Sequence, residues 1–107
     1  MQLVAVGLNH NSAPVEIREQ LAFADSQIDA CLQSLVGPFE LGEATILSTC
    51  NRSEIYAVCA GDDGGERVRQ FLTVERGLDV ERLRPCLYEF ISSDVATLLF
   101  RVACGID

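Results

Sequence analysis

A chain of 107 residues is sized for one compact domain, and 49% apolar with 22% charged residues is the balance of an ordinary soluble globular protein. A net charge of −8 makes it a poor non-specific binder of phosphate backbones, so any nucleic acid it handles must be gripped mostly elsewhere. Five cysteines, an odd number with no C-x-x-C pair, together with a single histidine, leave no zinc framework and point to free thiols in a reducing, cytoplasmic compartment.

The N-terminus has no basic start followed by a long apolar run, and no stretch approaches the ~20 apolar residues of a membrane helix. Residues 3–7 are short and apolar and predict a buried strand. Residues 9–14 form a loop rich in turn formers, and Pro14 opens a short helix through Val15, Ile17 and Leu21. Asp25 or Ser26 is placed to cap the next helix, whose apolar stripe is Ile28, Cys31, Leu32, Leu35 and Val36, and Gly37-Pro38 stops it. Residues 43–48 and 54–60 read as two strands joined by a hairpin-sized connection over 49–53. An exposed loop over 61–65 precedes a helix that turns Val68, Phe71 and Leu72 inward and ends near Gly77. Asp79 caps one turn before Pro85, residues 87–91 read as a fourth strand, and Ser93 caps a last helix with the stripe Val95, Leu98, Leu99, Val102, Ala103. Strand, helix, two hairpin strands, helix, strand is the split β-α-β order of a ferredoxin-like α+β sandwich: a four-stranded antiparallel sheet with helices on one face. The last helix is expected to leave the sandwich towards further domains.

Cys50 stands apart from the other thiols. Cys31 and Cys59 fall on apolar periodicities, and Cys86 and Cys104 flank apolar residues at element ends, the positions of small hydrophobes in a core. Cys50 falls at the tip of the hairpin, where it is accessible and where backbone N–H groups can point. Arg52, two residues on, is a cation that would lower the thiol pKa. Its planar fork can clamp a carboxylate, though a solvated surface arginine fits the sequence equally. His10 is a base candidate or a hydrogen-bonding loop residue. Asn9 and Ser12 shape the turn, and Glu16, Arg18 and Glu19 read as a solvated helix face with local pairing.

Three segments resemble one family. Residues 7–19 (GLNHNSAPVEIRE) resemble the opening signature of the glutamyl-tRNA reductases. Residues 47–56 (LSTCNRSEIY) resemble their nucleophile motif, and residues 99–107 (LFRVACGID) resemble the segment leading into their long connecting helix. The resemblance makes residues 1–107 the N-terminal, substrate-activating domain. It implies NADPH-dependent reduction of glutamyl-tRNA(Glu) to glutamate-1-semialdehyde, the first committed step of five-carbon-route tetrapyrrole synthesis, through a thioester on Cys50. Thr49, Asn51 and Arg52 match the substrate-binding neighbours, and His10 matches a position in the opening motif. The chain has no G-x-G-x-x-G after a strand, so the NADPH-binding and dimerisation domains are expected beyond Asp107. The resemblance further implies a full-length homodimer and contact with glutamate-1-semialdehyde aminomutase, while the residues themselves point to no membrane and no metal. One departure is Leu98, which stands where the family carries a histidine that positions the substrate. A weakened relative, or a non-catalytic ligand-binding or interaction module of the same fold, is the alternative reading.

Overall fold

The structure, a computed structural model, describes residues 2–103; the side chains of Val80, Ser93, Thr97, Leu98 and Phe100 lie outside the description. Its frame is set by β1 (Gln2–Asn9), whose residues from Val4 onward are buried on both faces, as an inner strand requires. β1 lies between β3 (Arg52–Cys59) and β4 (Tyr88–Ile91), and β2 (Glu43–Ser48) pairs with the outer side of β3. Every neighbouring pair is antiparallel, in the order β2-β3-β1-β4. This is the predicted ferredoxin-like arrangement.

One face of the sheet is covered by α2 (Asp25–Val36) and α3 (Gly64–Val74). Val4, Val6 and Leu8 of β1 and Ile55, Ala57 and Cys59 of β3 point to this side by the two-residue period of a strand, and they meet Cys31, Leu35, Val68, Phe71 and Leu72. Phe39 packs edge-on to Phe71 with centroids 5.7 Å apart. The short α1 (Val15–Leu21) adds Leu21 to the same core.

The opposite face carries Ala5 and Tyr56, and it is covered by Val95 of α5 (Ser93–Ala103), with Leu3, Leu47, Tyr88, Phe90 and Val102 at its margin. The last helix thus begins folded against the second face. Only part of its predicted stripe packs there: Leu99 is 41% exposed and Ala103 is exposed. The side chain of Leu98, and Cys104 with the three residues after it, lie outside the described residues.

Several boundaries differ from the sequence reading. α2 starts one residue early, with Ala24 at the N-cap and Asp25 and Ser26 inside the first turn. Gln27 makes this possible, because its side-chain oxygen accepts the Ala24 N–H at 3.2 Å. β1 and β3 extend two residues further at their shared end, through Asn9 paired opposite Arg52. α3 absorbs Gly64 and Gly65, where a Cβ on Gly64 would sit 3.0 Å from Val4 and one on Gly65 would overlap the Glu89 carboxylate at 1.4 Å. Asp79 behaves as predicted, accepting the Arg82 N–H at 3.3 Å ahead of α4 (Val80–Leu83).

Candidate functional site

The end of the sheet where β2 turns into β3 and β1 leaves for α1 gathers the residues singled out above. Thr49, Cys50 and Asn51 make the whole connection, because the Thr49 N–H donates to the Arg52 carbonyl at 2.7 Å and closes the hairpin early. The Thr49 hydroxyl accepts the Asn51 N–H at 3.2 Å and shapes the turn. Below it, the Ser48 and Ser53 hydroxyls share a hydrogen bond of 3.0 Å across the strands, and Ser48 Oγ accepts the Phe23 N–H at 3.0 Å. The base of the hairpin is therefore fixed to the chain between α1 and α2, while its tip stands clear. Cys50 is exposed at that tip, and among the described residues its own N–H has no hydrogen-bond partner. Cys31 and Cys59 are buried, as their periodicity predicts, and Cys86, at an element end, is half-buried. Cys59 donates its thiol to Asp63 Oδ1 at 3.4 Å. Cys104 lies outside the described residues.

Arg52 is not the solvated arginine that the sequence allows. It is 6% exposed, and its Nη1 lies 3.2 Å from Oε2 of Glu54, which is fully buried. The Tyr56 hydroxyl donates to Glu54 Oε1 at 2.6 Å, and the Tyr88 hydroxyl donates to Oε2. Desolvation, and then the Glu54 carboxylate, push the Tyr88 pKa well above its ordinary value, which keeps the hydroxyl a donor. Gly7 makes room for this cluster. It is paired with Glu54 on one side and Tyr88 on the other, and a Cβ there would lie 2.7 Å from Glu54 Cγ and 2.5 Å from the Ser53 carbonyl oxygen. The Arg52 charge, two residues from the thiol, is thus matched by a buried carboxylate. Among the described residues Glu54 takes only Nη1, so the other guanidinium donors have no protein partner. Glu54 and both tyrosines escape the sequence reading, because the alternation of Arg52, Glu54 and Tyr56 onto one strand face gives no hint of the facing Tyr88.

Arg18 is the other residue missed. It reads as part of a solvated helix face, yet its Nε donates to the Cys50 carbonyl at 3.4 Å and its Nη1 to the Ala13 carbonyl at 2.8 Å. No local pattern signals this contact, which spans 32 positions. Asn9 and Ser12 shape the neighbouring turn as expected: Asn9 Oδ1 accepts the N–H groups of Asn11 and Ser12, and Ser12 Oγ accepts that of Asn9. His10 follows directly and is exposed at the same end of the sheet, with no hydrogen bond among the described residues. The Leu98 side chain lies outside the description, so its relation to Cys50 is not among the described contacts.

Among the described residues there is no group of three or more His, Cys, Asp or Glu side chains placed to hold a metal, and no helix is long and apolar enough to cross a membrane. The strand–glycine–helix passage from β3 through Gly61 and Gly64 to α3 does not fit a dinucleotide. Asp63 sits at that helix start, ion-paired to Arg67 at 3.0 Å, and the Glu89 carboxylate fills the space over Gly65, so the turn presents acids where a pyrophosphate needs open N–H groups. A cavity of about 630 Å³ runs along the edge of β2 between Val36, Thr45, Tyr56 and Leu99, and Cys50 does not line it.

The sequence profile of the family described as "Glutamyl-tRNAGlu reductase, N-terminal domain" matches residues 6–107. Proteins named glutamyl-tRNA reductase from Herpetosiphon aurantiacus and Neisseria meningitidis serogroup B are each 45% identical over the whole chain. The chain spans 25% of the length of either. A solved structure, glutamyl-tRNA reductase from Methanopyrus kandleri, superposes with a TM-score of 0.71 at 30% identity, covering 97% of this chain and 22% of that one.

Proposed function

Because this chain belongs to the glutamyl-tRNA reductase family, whose N-terminal domain it matches, we propose that it takes the glutamyl group from glutamyl-tRNA onto Cys50 as a thioester. The observation that carries this reading is the exposed Cys50 at the tip of a three-residue turn whose base is fixed by hydrogen bonds on both sides. The thiolate attacks the ester carbonyl between the glutamyl group and the terminal ribose. The carbon–sulfur bond forms, the carbon–oxygen bond breaks, and the departing ribose oxygen takes a proton. The Cys50 N–H, unpartnered among the described residues, is available to the oxyanion of the tetrahedral intermediate, a role in which one donor is commonly worth about 3 kcal/mol.

Arg52, held by Glu54 through one nitrogen, offers its remaining N–H groups to the side-chain carboxylate of the glutamyl group. Thr49 and Asn51 line the same turn, and His10 stands at the end of β1 as a group able to move the proton. A thioester has weaker resonance than an ester, which prepares its carbonyl for hydride. The family implies NADPH as the reductant; the acid-lined β3–α3 turn is no site for it, and because the chain spans 25% of its relatives' length, reduction is assigned to the rest of that length. Its homodimer and any contact with glutamate-1-semialdehyde aminomutase belong there too.

The test is a single-turnover reaction with glutamyl-tRNA, followed by intact mass and release of free tRNA. The expected result is a glutamyl adduct on Cys50, slow hydrolysis of that adduct, and loss of both in Cys50→Ser. Deacylation by Cys50→Ser as fast as wild type rules the reading out. Reversible glutamate binding that survives Cys50→Ala without any adduct supports the ligand-binding alternative instead. Leu98, standing where the family has histidine, favours a weakened enzyme as the second reading. Leu98→His should then speed the acylation.

A further inference from the structure

The chain's eight basic residues are all arginine, and among the described residues four are matched to acids: Arg52 to Glu54, Arg67 to Asp63 and Glu40, Arg69 to Glu66 and Glu89, and Arg84 to Glu81. Arg18 is different. Its two bonds go to the carbonyls of Cys50 and Ala13, which hold the guanidinium in place without cancelling its charge. Glu16 and Glu19 lie on the same helix and are exposed, and neither forms an ion pair with it. Its Nη2 has no partner among the described residues, and the side chain is partly open to solvent. A domain of net charge −8 repels an RNA end, so a local attraction has to come from a cation left unmatched.

We propose that Arg18 receives the phosphodiester next to the acylated ribose of the RNA donor, and that its bond to the Cys50 carbonyl sets that phosphate at the right reach from the thiol. The inference rests on the acyl-transfer reading given above. The attacked ester and the adjacent phosphodiester belong to one nucleotide. A cation hydrogen-bonded to the backbone of the nucleophile itself therefore stands at the scale of that nucleotide. Phosphate contacts of this kind set register without reading sequence. An arginine fork, tied by two of its nitrogens and free at the third, suits the task.

The experiment compares wild type, Arg18→Gln and Arg18→Lys on two donors that share a leaving group, glutamyl-tRNA and glutamyl-adenosine, the second lacking any phosphate. Thioester formation on Cys50 is followed over a range of salt. Arg18→Gln is expected to lose about tenfold more on glutamyl-tRNA than on glutamyl-adenosine, the value of one charge-assisted hydrogen bond, any loosening of the turn being common to both donors. The dependence of log rate on log salt should flatten by ~0.7, the share of one phosphate on a single-stranded end. Arg18→Lys should keep the wild-type salt slope, because the charge remains. Equal losses on both donors, or an unchanged slope in Arg18→Gln, would show that Arg18 only braces the turn and would overturn the proposal. So would a flattened slope in Arg18→Lys, which also decides the matter should Arg18→Gln not fold. Wild type failing to acylate from either donor would sink the acyl-transfer reading and this one with it, whereas efficient wild-type acylation with equal losses in the variants removes this one alone.

Discussion

Replacing Glu54 by glutamine keeps the shape of the most buried acid among the described residues and removes only its charge. Glu54 is 0% exposed and receives Arg52 Nη1 at 3.2 Å, the Tyr56 hydroxyl at 2.6 Å and the Tyr88 hydroxyl. The glutamine amide can accept on one side only. Arg52, itself nearly buried, is left as an unmatched cation, and one tyrosine must turn its hydroxyl around. Breaking a buried ion pair from one side typically costs about 3–5 kcal/mol. The slight exposure of Arg52 and the adaptable hydroxyls place the expected loss near the lower end, ~3 kcal/mol, a large part of the stability of a domain this size. Urea unfolding followed by far-UV circular dichroism measures it directly, with the m-value expected to stay constant. The double variant Arg52→Met with Glu54→Gln supplies the cycle. Once the cation is gone its desolvation penalty goes too, so the double variant should lose clearly less than the sum of the two single variants. A Glu54→Gln midpoint indistinguishable from wild type, or strictly additive losses, would refute the claim that Glu54 exists to hold Arg52.

Two glycines should respond in opposite ways to alanine. At Gly7 the new methyl meets the Ser53 carbonyl at 2.5 Å and the Glu54 Cα at 2.8 Å, backbone that cannot yield, so Gly7→Ala should cost roughly 1–3 kcal/mol in thermal or urea unfolding. At Gly65 the obstacle is the end of the Glu89 side chain, which can swing away at the loss of its partly exposed pair with Arg69, worth under about 1 kcal/mol, while the helix gains a better former. Gly65→Ala should therefore be near neutral, and a large loss there would contradict this account. Tyr88 gives a pH signature: its folded-state pKa is raised, so its contribution is fully present below its ordinary value of 10.0 and is lost as pH climbs beyond it. Tyr88→Phe should flatten the alkaline decline of stability, measured as the midpoint of urea unfolding against pH. Phe71→Ala, which empties the fully buried contact beneath Phe39, should cost about 3–5 kcal/mol in the same assay.

The fold was legible because periodicity reports burial. The stripe Cys31 and Leu35, the trio Val68, Phe71 and Leu72, and the alternation of Ile55, Ala57 and Cys59 all land in one core, and the short connections leave few topologies to choose among. Boundaries were less legible where the deciding partner is distant: Gly65 enters α3 because Glu89 on the far strand needs the space, which no window around residue 65 reveals. The same limit governs the site. The prominence of Cys50 follows from a local property, its place at a hairpin tip. The charge around it does not, because charge depends on who is matched with whom. Adjacency in sequence offered Arg52 as the cation at the thiol, but residues two apart on a strand share a face, and Glu54 is on the face of Arg52. Folding therefore matches the near arginine to an acid and brings up Arg18 from 32 positions away with its charge intact. The two arginines consequently differ in kind: Arg52 is rigid, buried and paired, suited to a short carboxylate that must be oriented, whereas Arg18 is partly exposed and unpaired, suited to an anion arriving from solvent.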